Sequence, residues 1–140
     1  MTYREALEYL DSFTNYENKD TYDYKSSFGL DRMKALTEAV GQPQDSVKSI
    51  HIAGTKGKGS TSAFVHSILK EAGYSTGLYT SPHLVSFRER IKLNDAEISE
   101  EDISALLERL KPVLENFKSD PPSFFEIYTC LLYTSDAADE

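Results

Sequence analysis

Residues 49–62 read SIHIAGTKGKGSTS, and this stretch decides the fold that the sequence predicts. Its first part contains a short apolar run at residues 50–53, which indicates a strand. Three glycines follow, at positions 54, 57 and 59. After them, apolar residues recur at the spacing of a helix: Phe64, Val65, Ile68, Leu69 and Ala72. The stretch therefore predicts a strand, a glycine-rich loop and a helix in succession.

A loop of this kind is suited to binding phosphate. Glycines let backbone amides approach an anion closely, and the start of the helix adds unpaired N–H groups and the positive end of its dipole. Lys58 would reach the outer phosphates of a nucleotide, and the hydroxyl of Ser60 or Thr61 would lie near a bound magnesium ion. The stretch thus predicts a phosphate-binding loop.

The match to the usual P-loop pattern, G-x-x-x-x-G-K-[ST], is imperfect. Ile52 stands at the position of the first glycine, and Gly59 separates Lys58 from the serine that follows. The alternative is a plain glycine-rich turn whose two lysines are solvated. We favour the phosphate loop because a strand is predicted before it and a helix after it.

The composition is that of a globular protein. The 140 residues are enough for one domain with a core, and 39% hydrophobic with 27% charged residues is not the composition of a disordered chain. No apolar run is long enough to span a membrane, and the first residues lack the apolar core of a secretory signal. A single cysteine, Cys130, leaves no disulfide framework. We expect a cytoplasmic protein that does not bind membranes.

The charge is distributed unevenly. The net charge of −8 argues against a general nucleic-acid surface. Residues 48–92 nevertheless carry seven basic and two acidic side chains, a net charge of +5, so that the remainder of the chain carries −13. A basic region around the predicted loop favours a small polyanionic ligand.

Amphipathic patterns predict helices on either side of this loop. Apolar spacing indicates helices within residues 3–13 and 30–40. A longer helix is predicted from a capping box at Ser99 to about residue 117, with a kink at Pro112. Another element begins at residue 123, after a Pro-Pro break.

A second strand is predicted at residues 75–80, after the loop helix. Strand, helix and strand in this order predict a right-handed parallel crossover, and ligands of such sheets bind beyond the carboxyl ends of the strands. Ser81 and His83 would lie at that edge. Residues 87–93 and 96–98 indicate two further, weaker strands.

Five motifs occur along the chain in a fixed order: FGLDR at 28–32, IAGTKGKGS at 52–60, YTSPHL at 79–84, FRERI at 87–91 and FFE at 124–126. Together they resemble the N-terminal part of folylpolyglutamate synthase and dihydrofolate synthase, which belong to the Mur ligase superfamily. The resemblance runs from about residue 3 to residue 129. The family often has asparagine where this chain has Lys56, a minor departure.

The resemblance implies an α/β fold: a partial, truncated P-loop ATP-binding domain of the Mur ligase type, with a parallel sheet flanked by helices. It also implies an ATP-dependent amide ligase. ATP phosphorylates the carboxylate of a dihydropteroate or folate, and the amine of L-glutamate attacks the acyl phosphate and releases phosphate. The implied cofactors are ATP and Mg²⁺, the implied partners are these small molecules without nucleic acid, and we expect a monomer.

The same resemblance implies roles for individual residues. ATP binding falls to the loop: Gly54, Thr55, Lys56, Gly57, Lys58, Gly59, Ser60 and Thr61. Catalytic roles fall to Lys58 and Glu126, and magnesium ligation falls to Ser60, Ser81 and Glu126. The substrate is assigned to Phe28, Gly29, Leu30, Arg32, Pro82, His83, Leu84, Phe87 and Arg90. From the residues alone, Glu126 is expected to be the N-terminal acid of a helix, and a magnesium ligand is the alternative.

The resemblance also divides the chain. Residues 1–129 correspond to the N-terminal part of the ATP-binding domain, whereas the rest of that domain and a C-terminal domain are missing. We therefore expect the chain to be inactive alone, with exposed apolar faces. Residues 130–140 depart from the family pattern and resemble one reading frame of a sequencing adapter, so we expect them to be a non-native tail.

Three alternative functions remain at this point. Another ligase of the same superfamily could join amino acids to a cell-wall precursor, although the motifs at 79–84 and 87–91 favour the folate branch. A P-loop kinase or GTPase is disfavoured by the shifted serine. A nucleotide-binding module without enzymatic activity is the third alternative.

Overall fold

The computed structural model describes residues 1–18 and 29–135 of the chain. The helices there are α1 (Tyr3–Asp11), α2 (Leu30–Ala39), α3 (Lys58–Glu71), α4 (Glu100–Leu114) and α5 (Phe124–Thr134). The strands are β1 (Gly77–Tyr79), β2 (Ile91–Leu93) and β3 (Ala96–Glu97). Short 3₁₀ turns cover Tyr16–Asn18, Pro43–Ser46, Phe87–Arg90 and Glu115–Phe117. Within these ranges, no helix has the length and apolar content needed to cross a lipid bilayer.

Three of the five helices in the described residues begin at a side-chain cap. Thr2 and Ser123 each form a reciprocal capping box, with Glu5 and Glu126 respectively. Ser99 Oγ accepts a hydrogen bond from the backbone N–H of Asp102 at 2.9 Å, as its sequence pattern predicts. The predicted helices are confirmed. At these three caps, the hydrogen bond that marks the start of the helix joins residues only three positions apart in the sequence.

The core lies between α1, α4 and α5, with Leu36 of α2 and Ile91 of β2 added to it. Its fully buried side chains are Ala6, Leu10, Leu36, Ile91, Ile103, Leu107, Ile127, Tyr128 and Leu131. Cys130 also lies in this core, on α5. The second half of this helix, residues 130–134, belongs to the segment that we predict to be a non-native tail. Burial raises the pKa of the Cys130 thiol to about 11.

The described residues show an antiparallel sheet, and they do not confirm the predicted parallel crossover. In the part of the chain that the structure describes, β1, β2 and β3 form an antiparallel sheet in that order, with Gly77 opposite Leu93 and Lys92 opposite Glu97. Residues 50–53 pair with no strand there, although the predicted strand at 75–80 is confirmed at β1. Only eleven residues, 80–90, connect β1 to β2, which is enough for an antiparallel pair, whereas a parallel pair needs a longer crossover.

The prediction of a strand over residues 87–93 is correct only for its second half. Residues 91–93 form β2, and residues 87–90 form a 3₁₀ turn. Ser86 and Glu89 build a capping box at the start of this turn, and such local hydrogen bonds compete with strand pairing. The turn brings Arg90 into the core.

Helix α3 packs differently from the other long helices. It has no buried residue, and its apolar side chains Phe64 and Ile68 are 70% and 67% exposed. Its recorded side-chain contacts to the sheet are polar: His66 Nε2 lies 2.7 Å from the carbonyl oxygen of Asn94, and Lys70 forms an ion pair with Asp95. The sequence pattern therefore predicts the helix correctly, but the described residues leave Phe64 and Ile68 of its apolar face largely exposed.

Candidate nucleotide and substrate site

The glycine-rich loop ends where α3 begins. Gly57 is the N-cap of α3 and has a φ of +75°, a left-handed conformation that a side chain would strain. The helix starts at Lys58, so its first N–H groups have no partner within the helix. Apart from chain neighbours and the nearby backbone of the helix itself, no atom of the described residues lies within 4 Å of a Cβ placed on Gly57 or Gly59. The loop therefore presents open backbone to an incoming anion.

Lys58 lies across this loop rather than away from it. Its Nζ donates a hydrogen bond to the carbonyl oxygen of Gly54 at 2.8 Å. The predicted ATP-binding residues 54–61 are all exposed and contiguous, so the structure brings them together. Their arrangement provides an ammonium group, unpaired N–H groups and hydroxyls on one exposed turn, which suits a polyphosphate.

Arg32 and Glu126 form a largely buried ion pair. Arg32 Nε lies 3.1 Å from Glu126 Oε2, and the two side chains are only 13% and 14% exposed. Arg32 Nη1 also pairs with Asp120 Oδ1 at 3.1 Å. Glu126 Oε2 further accepts hydrogen bonds from the N–H and hydroxyl of Ser123 at 2.7 and 2.8 Å. This pair ties α2 to the start of α5.

The magnesium ligands implied by the resemblance are Ser60, Ser81 and Glu126. Hydroxyl and carboxylate oxygens are ligands that Mg²⁺ prefers. In this structure, however, Glu126 already accepts from a guanidinium, a hydroxyl and a backbone N–H. The described residues also contain no group of three His, Cys, Asp or Glu side chains placed to hold a metal. Glu126 is therefore engaged by protein groups in this structure, and magnesium ligation by Ser60, Ser81 and Glu126 stays a prediction.

The loop that follows β1 is closed by Glu89. Its carboxylate accepts hydrogen bonds from three consecutive N–H groups, of Leu84 at 2.9 Å, Val85 at 2.8 Å and Ser86 at 2.6 Å. These donors, Ser86 first, lower the pKa of Glu89 to about 2. Leu84 and Val85 are themselves 91% and 92% exposed. The loop thus holds two apolar side chains in solvent on a hydrogen-bonded backbone.

Arg90 is the most buried charge at this site, with 2% exposure. Its Nη2 and Nη1 donate to the two carboxylate oxygens of Glu17 at 2.6 and 3.3 Å, and its Nε donates to His83 Nδ1 at 2.8 Å. The hydrogen bond from Arg90 lowers the pKa of Glu17. The guanidinium also lies within 5.3–5.7 Å of three ring centres: Phe87, Phe124 and Tyr128. Arg90 is therefore bound inside the protein.

The predicted substrate residues fall into two groups. Pro82, His83, Leu84, Phe87 and Arg90 lie together on the loop after β1 and its 3₁₀ turn. Gly29 is the N-cap of α2, and Leu30, its first residue, is 67% exposed. Phe28 lies outside the described residues.

Sequence reasoning missed Glu17 and Glu89 as parts of this site. The Ser86-x-x-Glu89 spacing of a capping box was a signal for Glu89. Nothing local marks Glu17 as the partner of Arg90, which lies 73 residues away.

No family model matches the chain. Among curated proteins it is similar to the dihydrofolate synthase/folylpolyglutamate synthase of Bacillus subtilis, with 44% identity over 108 residues. This alignment covers 75% of the chain and 25% of the relative. A probable bifunctional folylpolyglutamate synthase/dihydropteroate synthase of Haloferax volcanii is 34% identical over 133 residues, which are 94% of the chain and 15% of the relative.

Solved structures agree with these relatives. The folylpolyglutamate synthase of Thermotoga maritima matches 94% of the chain with a TM-score of 0.81 and 40% identity. The chain belongs to the folylpolyglutamate synthase family. A folylpolyglutamate synthase in complex with AMPPCP and folate matches 95% of the chain at 30% identity, also with a TM-score of 0.81. The Mycobacterium tuberculosis folylpolyglutamate synthase complexed with ADP matches 98% at 31% identity and the same TM-score.

The match confirms the family that the five motifs indicate, and it confirms an α/β chain with the fold of this family's structures. The chain spans about a quarter of the Bacillus relative and under a third of each of these three solved chains. The activity of folylpolyglutamate synthases is therefore only a proposal for this chain.

Proposed function

We propose that this chain forms part of an ATP-dependent amide ligase that joins L-glutamate to dihydropteroate or a folate. The observation that carries the proposal is the open loop at residues 54–61 at the start of α3, in a backbone that follows folylpolyglutamate synthases bound to AMPPCP, folate or ADP. The exposed loop offers charge and N–H groups for a triphosphate, and the adjacent motifs are those of the folate branch.

The reaction has two steps. A carboxylate oxygen of the folate-type substrate takes the γ-phosphoryl group of ATP, which gives an acyl phosphate and ADP. The amine of L-glutamate then forms the amide bond, and phosphate leaves. Catalysis of this kind depends on neutralising the charge of the transferring phosphoryl group and on excluding water from the acyl phosphate. Lys58 and the N–H groups at the start of α3 would provide the neutralising charge.

The substrate side of the proposal involves the loop after β1 and the start of α2. His83 and Phe87 would contact the substrate there, with the exposed Leu84 and Leu30 near the opening. Magnesium bound by Ser60, Ser81 and Glu126 stays a prediction from the family resemblance, because Glu126 is engaged by Arg32 and Ser123.

We also propose that residues 50–53 pair as a strand of a parallel sheet in a complete ligase. The exposure of Ile50, Phe64 and Ile68, at 64–70%, supports this proposal, since such a surface is normally covered. The chain alone would then lack part of its site and be inactive. The division into residues 1–129 and a non-native tail at 130–140, the monomeric state and the cytoplasmic location stay predictions.

A chimeric enzyme tests the proposal. Residues 1–129 of this chain replace the matching part of the Bacillus subtilis relative, and ADP formation is measured with L-glutamate and with dihydropteroate or a folate. We expect turnover that requires both substrates. Turnover that ignores both dihydropteroate and folate would contradict the folate assignment.

The phosphate role of Lys58 is tested in the same chimera. Lys58→Ala should lower kcat/KM about 100-fold or more, because it removes a charge that acts on the transferring phosphoryl group. Lys34→Ala, which removes an exposed lysine of α2, is the matched control and should leave the rate unchanged. Full activity of Lys58→Ala would contradict the phosphate role of Lys58.

A further inference from the structure

His83 has a hydrogen-bond partner that fixes its chemistry. Arg90 Nε lies 2.8 Å from His83 Nδ1. An arginine side chain can only donate hydrogen bonds, so Nδ1 must be the acceptor. A neutral imidazole that accepts at Nδ1 carries its proton on Nε2. The contact therefore selects one of the two tautomers.

Arg90 is itself held in place from the other side. Glu17 binds both terminal nitrogens of the guanidinium, in the paired geometry that gives arginine–carboxylate contacts their directionality. Three aromatic rings surround the group, and its exposure is 2%. Rotating Arg90 away from His83 would break the pair with Glu17 and leave a buried charge without a partner.

We propose that Glu17 and Arg90 are positioning residues that hold His83 as its Nε2–H tautomer. His83 then offers a donor, and no acceptor, at the loop that carries the family's substrate motif. Its ring also packs against Phe87, with 5.0 Å between ring centres, which limits its rotation. Arg90 in this arrangement acts through His83 and does not bind the substrate itself.

The proposal names the kind of atom that His83 recognises. An Nε2–H group binds an acceptor, and the folate-type substrates of the proposed function carry carbonyl and carboxylate oxygens. This part of the inference rests on the proposed function. The tautomer itself does not, because it follows from the contacts of Glu17, Arg90 and His83 alone.

The tautomer can be measured in the full 140-residue chain. The chain has three histidines, so a long-range ¹H–¹⁵N spectrum of the ¹⁵N-labelled protein at a pH where they are neutral resolves each ring. We expect a pure Nε2–H pattern for His83. His66, whose Nε2 faces the carbonyl oxygen of Asn94, is the positive control, and the exposed His51 should show a mixture. An Nδ1–H pattern or a mixture at His83 would overturn the proposal.

A variant tests the role of Arg90. Arg90→Met keeps a long side chain among the aromatic rings but cannot donate, so His83 should change to a tautomer mixture while His66 stays unchanged. A folded Arg90→Met chain with a pure Nε2–H His83 would overturn the positioning role. The wild-type spectrum decides the tautomer even where Arg90→Met does not fold.

Folic acid tests the donor role. We expect folic acid to shift the His83 Nε2 signal. His83→Phe should weaken folic acid binding about tenfold or more, whereas His83→Gln, which keeps an N–H donor, should weaken it less. Equal binding by wild type and His83→Phe would overturn the role of His83 alone. Failure of folic acid to bind wild type would overturn the donor role, whereas the turnover of the chimeric enzyme tests the proposed function and the spectrum tests the tautomer, each separately.

Discussion

Helices α3 and α4 are nearly equal in length, with 14 and 15 residues, and both carry apolar side chains at helical spacing. In α4 six residues are buried against α1, α2 and α5, whereas α3 has none. Most helical stability in proteins comes from packing of the apolar face. We therefore expect packing to stabilise α4 more than α3. Apolar spacing thus predicts where a helix forms but not whether its face is covered.

The contrast also separates stability from the proposed chemistry. The core of α1, α4 and α5 contains none of the predicted ATP-binding residues, which all lie at residues 54–61. The predicted nucleotide loop instead lies at the start of α3, which has no buried residue. Matched substitutions in the packed core and in the exposed regions should therefore differ in their effect on stability.

The largest expected difference is between two isoleucines. Ile103 of α4 is fully buried and Ile68 of α3 is 67% exposed. Ile103→Ala should lower the free energy of unfolding by about 2–5 kcal/mol, because it removes buried apolar contacts and leaves a cavity. Ile68→Ala should change it by less than about 0.5 kcal/mol. Urea denaturation followed by circular dichroism measures both.

Equal losses in the two variants would mean that the face of α3 is buried in solution. Ile103→Val, which should cost about 0.5–1.5 kcal/mol, keeps the comparison measurable where Ile103→Ala does not fold.

A smaller difference is expected between two ion pairs. Arg32→Gln breaks the largely buried pair with Glu126 and should cost about 1–3 kcal/mol, because it leaves a carboxylate without its cation. Arg4→Gln breaks an exposed pair with Glu8 on α1 and should cost less than about 0.5 kcal/mol. Thermal unfolding of the three chains is the measurement.

Magnesium extends this test. Removing Arg32 frees a carboxylate of the predicted ligand set, so MgCl₂ should raise the Tm of Arg32→Gln more than that of wild type. A larger rise for wild type would show that Arg32 does not compete with the metal for Glu126.

The smallest effect is a pH dependence at the loop after β1. The pKa of Glu89 falls from an ordinary 4.5 to about 2 in the folded chain, so its stabilising contribution is complete above about pH 4.5 and is lost as the pH falls towards 2. The stability advantage of wild type over Glu89→Gln should therefore shrink across this range. Glu101→Gln, on the exposed side of α4, is the control, and an advantage that does not change with pH would contradict the prediction.

The sequence was most informative where structure depends on near neighbours. The capping residues Ser99 and Ser123 mark helices that the structure confirms, because their hydrogen bonds join residues three apart. The order of five motifs identified the family for a related reason: each motif is a short local pattern.

Distant pairings could not be read from the sequence. The pair of Arg32 with Glu126 joins residues 94 apart, and that of Arg90 with Glu17 joins residues 73 apart. Strand pairing also depends on distant residues: residues 50–53 have a strand-like pattern, and the described residues do not confirm a partner for them. The family resemblance assigned Arg90 to the substrate, and its burial among aromatic rings became visible only in the fold.

The buried Cys130 makes this chain convenient for site-directed fluorescence. It is the single cysteine of the sequence, it is fully inaccessible, and a pKa of about 11 leaves almost no reactive thiolate at neutral pH. A maleimide dye should therefore attach selectively to a cysteine introduced by Thr55→Cys, without any prior substitution of Cys130. Such a dye would report nucleotide arrival at the glycine-rich turn in real time.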